Sequence, residues 1–136
     1  MVDKAVSMMD RVLNSELFKK KVLAGRFTET NGKTNQEIYD IIMSGDCEYS
    51  DADGTIDLAA VMYYKRWSGV VGYVTGEDFT VYMNRKFFST PTSIGSNLLH
   101  EATHNMGFSH YEVFETSVPY SMNRIFEACV KEMKLA

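Results

Sequence analysis

Apolar residues near the N-terminus recur at spacings of three and four positions, which is the periodicity of an amphipathic helix. The residues in this pattern are Val6, Met9, Val12, Leu13, Leu17 and Phe18. They predict a helix over residues 4–24. Three isoleucines at similar spacing predict a second helix over residues 36–44, which Thr34 or Asn35 can cap and Gly45 can end.

The middle of the chain changes to the composition of β-strands. Val70–Thr75 and Phe79–Phe87 are rich in β-branched and aromatic residues, and Gly76-Glu77-Asp78 lies between them. Two such runs separated by turn residues predict a β-hairpin. Residues 56–66 contain side chains that suit a helix and others that suit a strand, so their secondary structure stays open.

Two more helices are predicted in the C-terminal part of the chain, over residues 93–106 and 119–134. Pro91 and a cluster of Thr and Ser precede the first, and Pro119 suits the first turn of the second. The chain contains no repeat, no low-complexity tract and no linker. Together with a length of 136 residues, these elements predict one α+β domain over residues 1–136.

Composition and charge narrow the classes of partner. The net charge of −4 and the pI of about 5.3 argue against nucleic acid as the main partner, because phosphate binding needs clustered Lys and Arg. No apolar run approaches the ~20 residues that cross a bilayer, so no membrane partner is expected.

The N-terminus lacks the pattern of a signal peptide, which predicts either a cytoplasmic protein or a mature form without its leader. Two reduced thiols are the simpler interpretation of Cys47 and Cys129, but one disulfide between them stays open, as does the oligomeric state.

A candidate metal site lies near the C-terminal helix pair. Residues 100–110 have the pattern H-E-x-x-H-x-x-G-x-x-H, and this window contains all three histidines of the chain. His100 and His104 are one helical turn apart, so both rings can face one ion. Gly107 can adopt the left-handed conformation that ends a helix, which allows His110 to return toward the same ion. Three neutral histidines are typical of a catalytic zinc site, because they leave one coordination position open.

Glu101 follows the first of these histidines directly, in a position that is poor for a third metal ligand. It is well placed to bind a water molecule on the metal and to act as general base and then general acid. Zinc would polarise the scissile carbonyl and lower the pKa of water toward neutrality. The pattern therefore predicts a zinc hydrolase in which Glu101 is catalytic.

The eleven residues resemble the zinc signature of the metzincin metallopeptidases. The resemblance implies an endopeptidase with a polypeptide substrate and Zn²⁺ as its cofactor. It also implies a small metzincin-like fold with N-terminal helices, a twisted mixed sheet, an active-site helix, a Met-turn and a C-terminal helix. Met122, within Ser117–Met122, resembles the methionine of the Met-turn. Tyr111 stands where several metzincin families have Asp, so no single family is indicated.

Two other functions stay open. A small zinc-dependent endoribonuclease of the YbeY-like type has three histidines at the same spacing, but that family typically has a small residue at the position of Glu101. A non-catalytic zinc-binding module is the other alternative, and the presence of Glu101 argues against it. Tyr111 and Tyr120 are candidates for stabilising a tetrahedral intermediate, although packing is the simpler role for each.

Overall fold

The computed structural model describes residues 1–45, 59–63, 72–75, 80–84, 87–111 and 115–136; for residues 59–63, 72–75 and 80–82 it describes the backbone alone. The described residues form five helices: α1 (Val2–Leu13), α2 (Glu16–Leu23), α3 (Asn35–Ser44), α4 (Pro91–Asn105) and α5 (Val118–Glu132). They also form three short strands: β1 (Ala59–Tyr63), β2 (Gly72–Thr75) and β3 (Thr80–Asn84).

The predicted N-terminal helix is divided into α1 and α2. Asn14 ends α1 by donating its side-chain amide to the carbonyl oxygen of Asp10 at 2.8 Å. Ser15 then caps α2, because its hydroxyl accepts a hydrogen bond from the backbone N–H of Phe18 at 3.1 Å. Side chains of this kind compete with the helical backbone for hydrogen bonds, so they interrupt a hydrophobic period that otherwise continues.

The second predicted helix is confirmed as α3. Thr34 is its N-cap and forms a capping box with Glu37, in which each side chain bonds the other residue's backbone N–H. Gly45 ends the helix with a φ of 71°, a left-handed conformation that favours glycine.

The predicted hairpin is confirmed by its strand pairing. β2 pairs with β3 in antiparallel orientation, with Thr75 opposite Thr80, while the predicted turn at residues 76–78 lies outside the described residues. Within the ambiguous segment 56–66, residues 59–63 form β1, which pairs with β3 in parallel orientation. The strand order in this small sheet is β1-β3-β2.

Helices supply most of the buried core. α4 packs mainly against α5 and α1, and α2 packs against α3 and α5. α4 and α5 pack closely at Gly95 on α4, where an added Cβ atom would lie 2.7 Å from Cζ of Phe126 on α5. Among the side chains that the structure describes, β3 contributes only Met83 to the hydrophobic core.

The expected α+β fold, with a metzincin-like twisted mixed sheet as its framework, is therefore wrong. The described chain is mostly helical, and its three strands are only four or five residues long. The physical reason is that the apolar faces of the helices are buried against one another, so helix-on-helix packing forms the core.

The expected Met-turn is wrong as well. Ser117 is the N-cap of α5, and Met122 lies inside that helix with its side chain fully buried. Cys129, also on α5, is a buried free thiol, whereas Cys47 lies outside the described residues. Among the described helices, none is long and apolar enough to cross a membrane.

Candidate metal centre

Helix α4 places the first two histidines on one face. The helix begins at a capping box between Thr90 and Ser93, with Pro91 in its first turn. His100 and His104 lie one turn apart near its C-terminal end, and their Nε2 atoms are 3.2 Å from each other. Both rings therefore direct the same nitrogen to one point in space.

The chain reversal that the sequence predicted at Gly107 is present, with a φ of 100°. The N–H of Gly107 donates to the carbonyl oxygen of His104 at 3.0 Å, and the N–H of Phe108 donates to that of Thr103 at 3.1 Å. These two bonds form a Schellman motif, in which glycine at the first position after the cap adopts a left-handed conformation. The reversal brings His110 back to the face that carries the other two histidines.

The three histidines meet in one cluster. One ligand nitrogen from each of His100, His104 and His110 lies within 4.8 Å of the other two. Tetrahedral zinc with Zn–N distances of 2.0–2.1 Å holds two nitrogens about 3.3 Å apart. The 3.2 Å between the Nε2 atoms of His100 and His104 fits that separation, so the residues present suit a divalent metal ion.

The other ring nitrogens of the first two histidines are bound to oxygen atoms. Nδ1 of His104 lies 2.9 Å from the carbonyl oxygen of Phe108. A carbonyl oxygen can only accept a hydrogen bond, so Nδ1 is the donor. Nδ1 of His100 lies 2.7 Å from Oδ1 of Asn123 on α5. The amide of Asn123 has a defined orientation, because its Nδ2 donates to the carbonyl oxygen of Ser96 at 3.0 Å. These two acceptors favour the tautomers in which both Nδ1 atoms carry the proton and both Nε2 atoms keep their lone pairs.

Burial reinforces the neutral state of these rings. The pKa of His104 is lowered to about 4, first by desolvation and then by the neighbouring His100 and His110. Desolvation also lowers the pKa of His100, more strongly than its hydrogen bond to Asn123 raises it. With both rings neutral and protonated at Nδ1, the two Nε2 lone pairs face each other, an arrangement that a bound cation would stabilise.

Glu101 lies between the two histidines in sequence and is half-buried. Desolvation raises the pKa of its carboxyl group above the usual range. A carboxylate with a raised pKa is a stronger base, which is the property that a general base needs near neutral pH.

The loop that carries His110 is held at both ends by residues that follow α2. The side-chain amide of Asn31 donates to the carbonyl oxygen of Gly107 at 2.9 Å. The carboxylate of Glu29 accepts a hydrogen bond from the backbone N–H of Tyr111, also at 2.9 Å. Glu29 and Asn31 both have positive φ angles, 53° and 55°. Such conformations cost energy, so surrounding contacts must maintain them.

The two tyrosines that the sequence singled out lie in different environments. The ring of Tyr120 packs edge-on against His100 and His110, with centroid distances of 4.7 and 4.9 Å. Tyr111 is 87% exposed. Packing on the histidine cluster is therefore the role that the structure supports for Tyr120.

Sequence reasoning did not find Asn123. It lies 23 positions after His100, and nothing in the motif indicates which residue would bind Nδ1 of that ring. The C-terminal helical pattern did indicate that a helix packs against α4, because α5 has to bury its apolar face. It did not indicate which residue of that helix would contact His100.

No family model, no curated protein and no solved structure matches this chain. The resemblance to the metzincin signature therefore depends on residues 100–110 alone.

Proposed function

We propose that this protein is a zinc-dependent hydrolase that cleaves peptide bonds, with His100, His104 and His110 as metal ligands. The observation that carries the proposal is the pair of Nε2 atoms 3.2 Å apart, whose rings donate their Nδ1 protons elsewhere. Two lone pairs at this separation match two ligands of a tetrahedral ion. The position of His110 in the same cluster supports it as the third ligand.

Three protein ligands leave the fourth position of a tetrahedral ion open, which distinguishes a catalytic zinc site from a structural one. Zinc bound here supplies Lewis acidity and activates water. Glu101 provides the proton transfer: its carboxylate takes a proton from water and delivers it to the leaving amine. The spacing of Glu101 between two helical histidines supports the peptidase assignment, because it is the arrangement of helix-borne zinc peptidases.

The first test measures metal binding. The purified protein is expected to bind one zinc ion per chain, with a large loss of zinc in His104→Ala. The control is Glu16→Gln, an exposed carboxylate on α2, which is expected to retain the metal. Full zinc retention by folded His104→Ala would contradict the ligand assignment.

The second test separates catalysis from binding. Casein hydrolysis should be abolished by a chelator and restored by zinc. Glu101→Gln should retain zinc and lose about 10²–10⁴-fold in rate, the usual contribution of a general acid–base group. Labelled RNA is incubated in parallel. Zinc-dependent cleavage of RNA without cleavage of casein would replace the peptidase with the endoribonuclease alternative.

A further inference from the structure

The hydrogen bonds behind His100 connect the candidate metal site to helix α5. Oδ1 of Asn123 accepts the Nδ1 proton of His100 at 2.7 Å. The Nδ2 group of Asn123 donates to the carbonyl oxygen of Ser96 at 3.0 Å and to its hydroxyl oxygen at 2.7 Å. The hydroxyl of Ser96 in turn donates to a carboxylate oxygen of Glu127 at 3.2 Å. The chain of bonds thus runs from the ring through an amide and a hydroxyl to a carboxylate.

We propose that Asn123 is a positioning residue for the metal site, holding the His100 ring so that its Nε2 atom faces the ion. The proposal rests on the metal site of the proposed function, but it does not depend on peptide cleavage. Partners of this kind fix the tautomer and the orientation of a ligating histidine.

The amide orientation is what makes this role specific. The carbonyl oxygen of Ser96 can only accept, so the Nδ2 side of Asn123 must face it and the Oδ1 side must face His100. If the amide were flipped, its NH2 group would face the Nδ1 proton of the ring, and two donors would oppose each other. Ser96 is buried and lies one turn before His100 on α4. The same α4–α5 contact therefore sets both the amide and the ring.

His104 provides an internal comparison. Its Nδ1 proton goes to a backbone carbonyl oxygen, that of Phe108, which no side-chain substitution removes. A change at Asn123 should therefore release the ring of His100 and leave the ring of His104 in place. A general loss of stability would affect both rings.

The experiment compares zinc affinities of folded proteins by competition with a chelator. Asn123→Leu should bind zinc about 10- to 100-fold more weakly than the parent, the usual effect of removing such a partner. Asn123→Asp keeps an acceptor for the Nδ1 proton but loses the donor to the carbonyl oxygen of Ser96, so its affinity should lie between those of Asn123→Leu and the parent. The control is Ser121→Ala, which removes a buried hydroxyl from α5 that bonds Arg124, and its zinc affinity should equal that of the parent.

Proton NMR of the zinc-loaded protein gives a second measurement. The Nδ1 protons of His100 and His104 should both exchange slowly with water in the parent. In Asn123→Leu, the signal of His100 should be lost while that of His104 persists. Parental zinc affinity in Asn123→Leu, or an equal loss in Ser121→Ala, would overturn the positioning role alone. A parent protein that binds no zinc would overturn the proposed function together with it.

Discussion

Replacing Gly107 with Ala tests whether the chain reversal after α4 assembles the proposed metal site. Gly107 has a φ of 100°, and the nearest atom to an added Cβ would be Nδ2 of Asn31 at 4.0 Å. The new methyl group therefore meets no steric obstacle, and the cost comes only from the backbone conformation. For a residue with a Cβ atom, a left-handed conformation costs about 1–2 kcal/mol.

That cost should weaken the proposed zinc binding, because the reversal does two things for the candidate site. It carries His110 back to the cluster, and it places the carbonyl oxygen of Phe108 against Nδ1 of His104. If the metal-free variant relieves its strain by changing φ, zinc binding must restore the strained form. A strain of about 1–2 kcal/mol then weakens zinc affinity by about 5- to 30-fold.

Gly45→Ala is the matched control for this variant. Gly45 also ends a helix in the left-handed conformation, with a φ of 71°, but helix α3 contributes no histidine to the cluster. Urea unfolding should show a loss of stability in both variants. Zinc affinity, measured by chelator competition on folded protein, should fall in Gly107→Ala alone. Equal zinc affinity in Gly107→Ala and the parent would refute the role assigned to the reversal.

Two further predictions concern the scaffold. Gly95→Ala gains about 1 kcal/mol of helix propensity, but its Cβ would lie 2.7 Å from Phe126, and overpacking of this kind costs about 1–3 kcal/mol. Urea unfolding should therefore show a net loss of stability. A variant more stable than the parent would contradict the close packing. The hydrogen bond from the backbone N–H of Thr34 lowers the pKa of Glu37 in the folded protein. The ionised carboxylate therefore stabilises the fold above the pKa of the unfolded state, and this contribution is lost as the pH falls through the pKa of the folded state. The stability difference between the parent and Glu37→Gln should therefore shrink on acidification, and a constant difference would contradict this coupling.

Local patterns predicted the helices and the hairpin because each depends on neighbouring residues. The capping box at Thr34 and the glycine at position 45 set the ends of α3 within a few positions of the helix that the apolar spacing predicted. The division between α1 and α2 was missed because the apolar spacing continues through it. Asn14 and Ser15 were the available signal, since both residue types form caps more readily than helix interiors.

The fold could not be predicted in the same way, because it depends on which apolar faces bury one another. The sequence indicated both helices and strands, and the metzincin resemblance selected a sheet as the framework. The structure instead buries α4 between α1 and α5, with Gly95 permitting a close contact to Phe126. Such contacts join residues that are far apart in the chain, and the spacing of apolar residues within one helix does not indicate which helices pack together.

The motif nevertheless predicted the histidine cluster, because nearly all of its geometry lies within eleven consecutive residues. The helical spacing aligns His100 with His104, and the Schellman turn at Gly107 returns His110. The turn even supplies the acceptor for His104 from within the motif. His100 takes its partner from outside the motif, and Asn123 reaches it across the α4–α5 contact. A helix, a glycine turn and packed neighbours together build this arrangement, so a histidine cluster that could hold a metal ion is compatible with a mostly helical scaffold.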